Sequence, residues 1–249
     1  MQKKHLLLAL VAAAGASTVM AQSSVTLYGR VNTSVERQKV GSVSNTVMQN
    51  NASRFGFKGV EDLGGGLKAG FVLESGFDSS NGAGASSTGG LNFGRQSEVN
   101  LSGAFGTVRL GNFFPGSYFA TADYVSMHNH DTGTSSDAFY QDPVWLTSGL
   151  STKNKVGYRT PNMGGLVIDA AVSLHEKATG VNKNGYDLAA NYNLGALALG
   201  AGYSQVDDDK QLGLRALYTF GQFTVGGYYQ RNDEDLAGTR NNYRLSGMY

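Results

Sequence analysis

From residue 150 to its end the chain alternates apolar and polar residues in short runs, with aromatics at the ends of several of them. Tyr186, Leu188, Ala190, Tyr192 and Leu194 form one run, and Leu197, Leu199, Ala201 and Tyr203 the next. Leu212, Leu214, Ala216, Tyr218 and Phe220 follow, then Phe223, Val225, Gly227 and Tyr229, then Tyr243, Leu245, Gly247 and Tyr249. Between them stand Asp187, Asn191, Asn193, Ser204, Gln211, Arg215, Thr219, Thr224, Gln230, Arg244 and Ser246. A strand sends successive side chains to opposite faces, so each run has one apolar and one polar face. Aromatics closing the apolar face fit the girdles of a transmembrane β-barrel, whose polar face lines a wet lumen.

The first residues read as an export signal. Lys3, Lys4 and His5 make a basic start, Leu6 to Val19 is mostly apolar, and Val19-Met20-Ala21 ends in a small residue suited to cleavage. Residues 1–21 are therefore expected to be removed, leaving a barrel domain over 22–249. As a membrane anchor the stretch is too short and too rich in Ala, Gly, Ser and Thr. No other segment approaches the ~20 apolar residues that a spanning helix needs. The absence of cysteine is compatible with an oxidising envelope. The near-balance of 20 basic and 19 acidic residues gives no argument for a nucleic-acid partner or a polybasic membrane patch.

The pattern predicts an all-β antiparallel barrel with about twelve strands, over 24–37, 52–60, 67–78, 92–103, 107–113, 151–161, 165–175, 185–194, 197–206, 210–220, 223–232 and 241–249. Short Gly-bearing connections such as Gly195-Ala196 and Gly221-Gln222 alternate with longer or more polar ones at 38–51, 79–91, 114–150, 176–184, 207–209 and 233–240. Short turns at one end and long loops at the other match periplasmic turns and extracellular loops. A soluble β-sandwich has no reason to alternate them so regularly. The 114–150 connection stands apart, being long and rich in aromatics, with Tyr118, Phe119, Tyr124 and Trp145 among them. Loops beyond ~15 residues are usually functional or disordered; this one is expected to fold inward and narrow the lumen.

Several motifs resemble the general porins of Gram-negative outer membranes, in particular the beta-proteobacterial kind. They are Ser24-Val25-Thr26-Leu27-Tyr28-Gly29, Ser53-Arg54-Phe55-Gly56-Phe57-Lys58-Gly59, and Glu61 through Gly70. Phe93-Gly94-Arg95-Gln96 and Phe105-Gly106-Thr107-Val108-Arg109-Leu110-Gly111 complete the set. The resemblance implies a barrel of the 16-stranded porin type, usually a homotrimer seated in outer-membrane lipid, which passes small hydrophilic solutes and ions by diffusion. It also implies that the third extracellular loop carries acids into the channel opposite basic residues on the wall. Two departures stand out. Gly111 is followed by Asn112, where the family typically has arginine. Family chains also continue for about four strands beyond a segment like Tyr243 to Tyr249, so this sequence is expected to be an amino-terminal portion of a longer chain. Twelve strands also make an even count that can close, but the family shear is fitted to the larger number.

Alternation turns Arg54, Gly56 and Lys58 inward beside outward Phe55 and Phe57, and Arg109 inward between outward Val108 and Leu110. An outward charge at mid-membrane costs ~2–4 kcal/mol, which gives the assignment its warrant. Arg54, Lys58, Arg95 and Arg109 are the candidate basic wall, and by resemblance Arg54 and Arg95 belong to the narrowest part. Arg95 shares its parity with the outward Val99 and Leu101, so turning it inward requires a bulge or another register. Asp123, Asp131, Asp137 and Asp142 are the candidate acids of the loop. For each of these charges the alternative is a lumen or loop charge away from the constriction. Lys155, Arg159, Asp169, Asp187, Arg215 and Arg244 also have inward parity.

His128-Asn129-His130-Asp131 supplies ligand types for a metal, but no fourth ligand is visible and loop polarity explains it better. Asp207-Asp208-Asp209 is read as a solvated turn. There is no cysteine nucleophile, Gly-x-Ser-x-Gly elbow or phosphate-cradling loop, so neither an enzyme nor a cofactor is expected. The reading is a diffusion channel with a modest anion preference. The competing one is a non-conducting barrel that serves as adhesin or enzyme.

Overall fold

The computed structural model describes residues 24–122, 153–176, 182–235 and 237–249. Its strands are β1 (Ser24–Arg30), β2 (Thr33–Val40), β3 (Val43–Asn50), β4 (Arg54–Gly64), β5 (Leu67–Gly76), β6 (Gln96–Gly103) and β7 (Gly106–Asn112). After a short helix α1 (Gly116–Ala120) come β8 (Lys155–Arg159), β9 (Leu166–Ser173), β10 (Gly185–Leu194), β11 (Leu197–Val206), β12 (Asp209–Phe220), β13 (Phe223–Glu234) and β14 (Gly238–Met248). Twelve of them form a single sheet in the order β1-β4-β5-β6-β7-β8-β9-β10-β11-β12-β13-β14, and β2-β3 is a separate hairpin. Every pairing is antiparallel, and apart from β1 with β4 the paired strands of the large sheet are sequence neighbours.

The register keeps the two faces apart. Leu188 lies opposite Tyr203 and Leu214 opposite Tyr229 on the apolar face, where Leu188 and Leu214 are exposed. Asp187 lies opposite Ser204, Ser204 opposite Gln211, and Gln211 opposite Asn232 on the other face, all four buried. At the β12–β13 turn Tyr218, Phe220, Phe223 and Tyr249 form a chain of rings with centroids 6.2, 5.7 and 5.0 Å apart. This is the aromatic band expected where a barrel wall meets an interface.

The first strand departs from expectation. The alternation over 24–37 is unbroken, yet β1 ends at Arg30 and Thr33 begins the extra hairpin. Long-range contacts make the break: the Asn32 N–H donates to Ser53 Oγ at 2.9 Å, and the Asn32 carbonyl accepts from the Asn51 N–H at 2.9 Å and the Ser53 hydroxyl at 3.2 Å. That knot ties off the hairpin and delivers the chain to β4. What reads as a polar loop over 38–51 is largely β3, reached through a tight turn at Gly41, whose φ of +60° suits glycine. The sixth strand also starts later than expected, at Gln96, because the Asn92 side chain accepts from the Gly94 N–H at 3.1 Å and bends the chain.

Candidate functional site

The polar face carries its charges in contacts between neighbouring strands. Glu74 of β5 gathers three partners. Arg95 Nε donates to its Oε1 at 2.7 Å, the Tyr28 hydroxyl donates to Oε2 at 3.0 Å, and Arg54 Nε stands 3.9 Å away. Gly56 sits opposite Glu74 in β4 and makes room for this cluster, since a Cβ there would lie 2.8 Å from the Tyr28 ring. The parity conflict at Arg95 resolves without a bulge. Pairing of β5 with β6 ends at Glu74–Gln96, so Arg95 lies one residue before the strand and is free of its alternation. Its guanidinium also lies over the Phe114 ring, 5.4 Å from the centroid. Lys58 is placed on the same face, 5.5 Å over the Tyr28 ring, at the margin of the cluster.

Arg109 of β7 belongs to a second cluster. It grips Glu98 of β6 through both oxygens, Nε to Oε1 at 3.0 Å and Nη2 to Oε2 at 2.6 Å. Gln96 and Asn100 also donate to Glu98, at 2.9 and 3.0 Å. Arg109 and Lys155 lie over the ring of buried Phe113, 4.1 and 5.4 Å from its centroid. Gly157 opens the space for that ring, where a Cβ would meet it at 2.9 Å. Arg109 is thus committed to a carboxylate and a ring. Replacing Glu98 by Ala is expected to destabilise the barrel by roughly 2 kcal/mol, the scale of hydrogen bonds to a charged group. Urea titration of the protein folded into lipid vesicles measures this, and a double-mutant cycle with Arg109→Ala should show that the two losses do not add.

Beyond Phe113 the chain turns onto the polar face. α1 packs on β9, β10 and β11. Ser117 donates to the Asp187 carboxylate through its N–H at 3.1 Å and through its hydroxyl. The wall beneath is stripped to glycine: a Cβ at Gly202 would lie 2.7 Å from Ser117, one at Gly213 would meet Thr121 at 3.0 Å, and one at Gly200 would collide with the Ala120 carbonyl. Ala122 continues onto buried Tyr228. Asp123, Asp131, Asp137, Asp142 and the His128–His130 pair lie outside the described residues. Among the described residues no group of three or more His, Asp or Glu could hold a metal ion.

Sequence reasoning missed Glu74 and Glu98 as the acids that organise the wall. Alternation puts each on the polar face, but alternation alone does not single out an acid that gathers several partners. Asn112 carries no charge and donates its amide to the Gly94 carbonyl at 2.9 Å. In the connection after β5, the Ser80 hydroxyl and N–H donate to Asp78 and hold its carboxyl below the ordinary range.

A sheet with one lipid-compatible and one charged face, and a segment seated on the charged one, is the wall of a barrel with a lined lumen. The family model described as Gram-negative porin matches residues 7–249. The chain belongs to the Gram-negative porin family. Among curated relatives of this porin, outer membrane porin protein 32 of Delftia acidovorans is 33% identical over 98% of the chain and 75% of its own length. An outer membrane porin protein of Bordetella pertussis is 29% identical over 99% of the chain and 66% of its own. The major outer membrane protein P.IB of Neisseria gonorrhoeae is 30% identical over 75% of the chain and 53% of its own length. The chain thus spans between about half and three-quarters of these relatives. Among solved structures, the anion-selective porin from Comamonas acidovorans superposes with a TM-score of 0.73 at 29% identity, covering 91% of this porin and 74% of that chain. OmpT of Vibrio cholerae superposes with a TM-score of 0.64 at 14% identity and speaks to the fold alone. This porin is accordingly a β-barrel protein of the Gram-negative outer membrane, and its polar sheet face is the lumen side.

Proposed function

We propose that the protein forms a water-filled channel for passive diffusion of small hydrophilic solutes and ions, with a preference for anions. The observation that carries the reading is at Glu74, where the guanidinium groups of Arg54 and Arg95 converge on a single carboxylate. Among the described residues these two bases share the one acid Glu74, and we read the cluster as keeping a positive field toward the lumen. In a narrow, poorly hydrated passage such a field favours anions. The anion selectivity named for the Comamonas relative supports the same sign. Arg54 and Arg95 form the basic side of the constriction, with Lys58 at its margin, whereas Arg109 is neutralised by Glu98 and serves the wall. The 114–150 segment narrows the lumen, as the docking of Gly116–Ala122 on the polar face supports, and Asp123, Asp131, Asp137 and Asp142 supply its acids. The assembly is a homotrimer, exported with a signal over residues 1–21 that is cleaved, and the channel needs neither catalysis nor a cofactor.

Planar-bilayer recording under a potassium chloride gradient tests this. A stable conductance with a reversal potential on the chloride side is expected. A clear cation preference would overturn the field argument, and a barrel that inserts without conducting would return the competing reading of an adhesin or enzyme.

A further inference from the structure

The lipid-compatible face of the wall is not smooth. On β12, β13 and β14 the residues Leu214, Ala216, Gly227, Tyr229, Tyr243 and Leu245 line a cavity of about 640 Å³, within the roughly 300–1,000 Å³ that small-ligand sites occupy. Gly227 is its floor. A Cβ there would have no neighbour nearer than Leu245 at 3.8 Å, whereas at Gly59, another outward glycine, it would collide with the Phe71 ring. The upper lip is a pair of rings, Tyr229 and Tyr243, with centroids 5.1 Å apart, and the Tyr229 hydroxyl donates to Asn241 at 2.9 Å. Above the lip stand cations. An outward charge is tolerated only toward the membrane interface, and the first outward bases met on climbing these strands are Lys210 on β12 and Arg231 on β13. They lie four residues beyond Leu214 and Gly227, about 13 Å along a strand. Asp233 accepts from Arg231 Nε at 2.9 Å and Nη2 at 3.0 Å, and no described residue accepts from Nη1. This end of the wall also carries the long connections 77–95, 113–154 and 174–184, which makes it the extracellular end.

We propose that this strip of β12–β14 binds one phosphorylated, acylated glycolipid of the outer leaflet, with an acyl chain in the Gly227 groove and a phosphate on Lys210 and Arg231. The two parts of the site match the two parts of such a lipid. An apolar hollow that faces hydrocarbon gains contacts only when a chain fills it, and a phosphate forms charge-assisted hydrogen bonds with a guanidinium and an ammonium. The leaflet decides the source: the extracellular leaflet of a Gram-negative outer membrane is built of such glycolipids, and phosphatidylglycerol belongs to the inner one. The site faces away from the lumen and is independent of conduction.

The test is native mass spectrometry of the full chain, folded in detergent and titrated with diphosphoryl lipid A or with phosphatidylglycerol. Wild type should retain one lipid A under conditions that strip phosphatidylglycerol. Gly227→Leu, which fills the groove, and the double change Lys210→Gln with Arg231→Gln, which removes the cations, should each weaken retention about tenfold. Val108→Leu, on the outward face of β7, should bind as wild type does, which separates this strip from lipid held anywhere on the wall. Retention of lipid A that is absent in wild type, or equal in wild type and both variants, would overturn the site. Phosphatidylglycerol held as tightly as lipid A would overturn the choice of lipid. If Gly227→Leu does not fold, as read from gel mobility before and after heating, the Lys210 and Arg231 variant decides alone, and unchanged retention there would again overturn the proposal.

Discussion

Reversing the charge at Arg54 and Arg95 together, as Arg54→Glu with Arg95→Glu, is expected to turn the channel from anion to cation preference. The two guanidinium groups share Glu74, so the double change leaves three carboxylates where two cations faced one. A unit charge ~8 Å from a passing ion contributes about 2 kcal/mol at an effective dielectric of ~20, several times thermal energy. Salt in the lumen screens this, so the effect should be largest at low ionic strength. The sign of the reversal potential in a dilute potassium chloride gradient measures it. Either single reversal should move the potential part of the way, and Arg109→Glu much less, because Glu98 already cancels that charge. A double reversal that keeps chloride preference would mean that the field is set elsewhere.

A comparable loss, of stability rather than selectivity, is expected from Leu214→Arg. Leu214 stands near the middle of β12, is 44% exposed and pairs with Tyr229 on the apolar face. Placing a guanidinium there in hydrocarbon costs ~2–4 kcal/mol, a large share of the net stability of a protein domain. The adjacent Arg215 makes the contrast. One residue along, it points to the other face, is buried, and donates to Asn191 at 3.0 Å and to the Leu199 carbonyl at 3.1 Å. Folding yield into lipid vesicles against urea, followed by gel mobility, should fall sharply for Leu214→Arg. A stability unchanged from wild type would place Leu214 away from the lipid.

How much of this was legible in the sequence depended on whether the deciding contact was local. From β10 to β14 the faces follow from parity alone, because the strands are long and bounded by tight turns such as Gly195-Ala196. At the other end parity misleads. Residues 24–37 alternate without interruption, and it is Asn51 and Ser53, about twenty residues on from Asn32, that break them into β1 and the β2–β3 hairpin. Arg95 poses a parity conflict that vanishes once β6 is seen to start after it. Asp187 has the parity of a lumen residue and is covered instead, since nothing in the sequence announces that Gly200, Gly202 and Gly213 stack on adjacent strands to admit a helix. The partner acids Glu74 and Glu98 show the same limit: parity places them on the right face, but the choice of partner is a matter of register.

That register has a consequence for how such a wall is put together. Arg54 meets Glu74 across β4 and β5, Arg109 meets Glu98 across β6 and β7, and Arg159 meets Asp169 at 3.0 Å across β8 and β9. Each is a pair within two consecutive strands joined by a short turn, so its charges are matched before any third strand arrives. Moving an unmatched ion toward hydrocarbon costs several kcal/mol, a barrier that would fall on every insertion step if partners lay far apart in the chain. In these three hairpins the named base and acid reach the bilayer already matched, whereas Arg95 and Asp187, whose partners Glu74 and Lys155 lie on other hairpins, find theirs only when the neighbouring strands arrive.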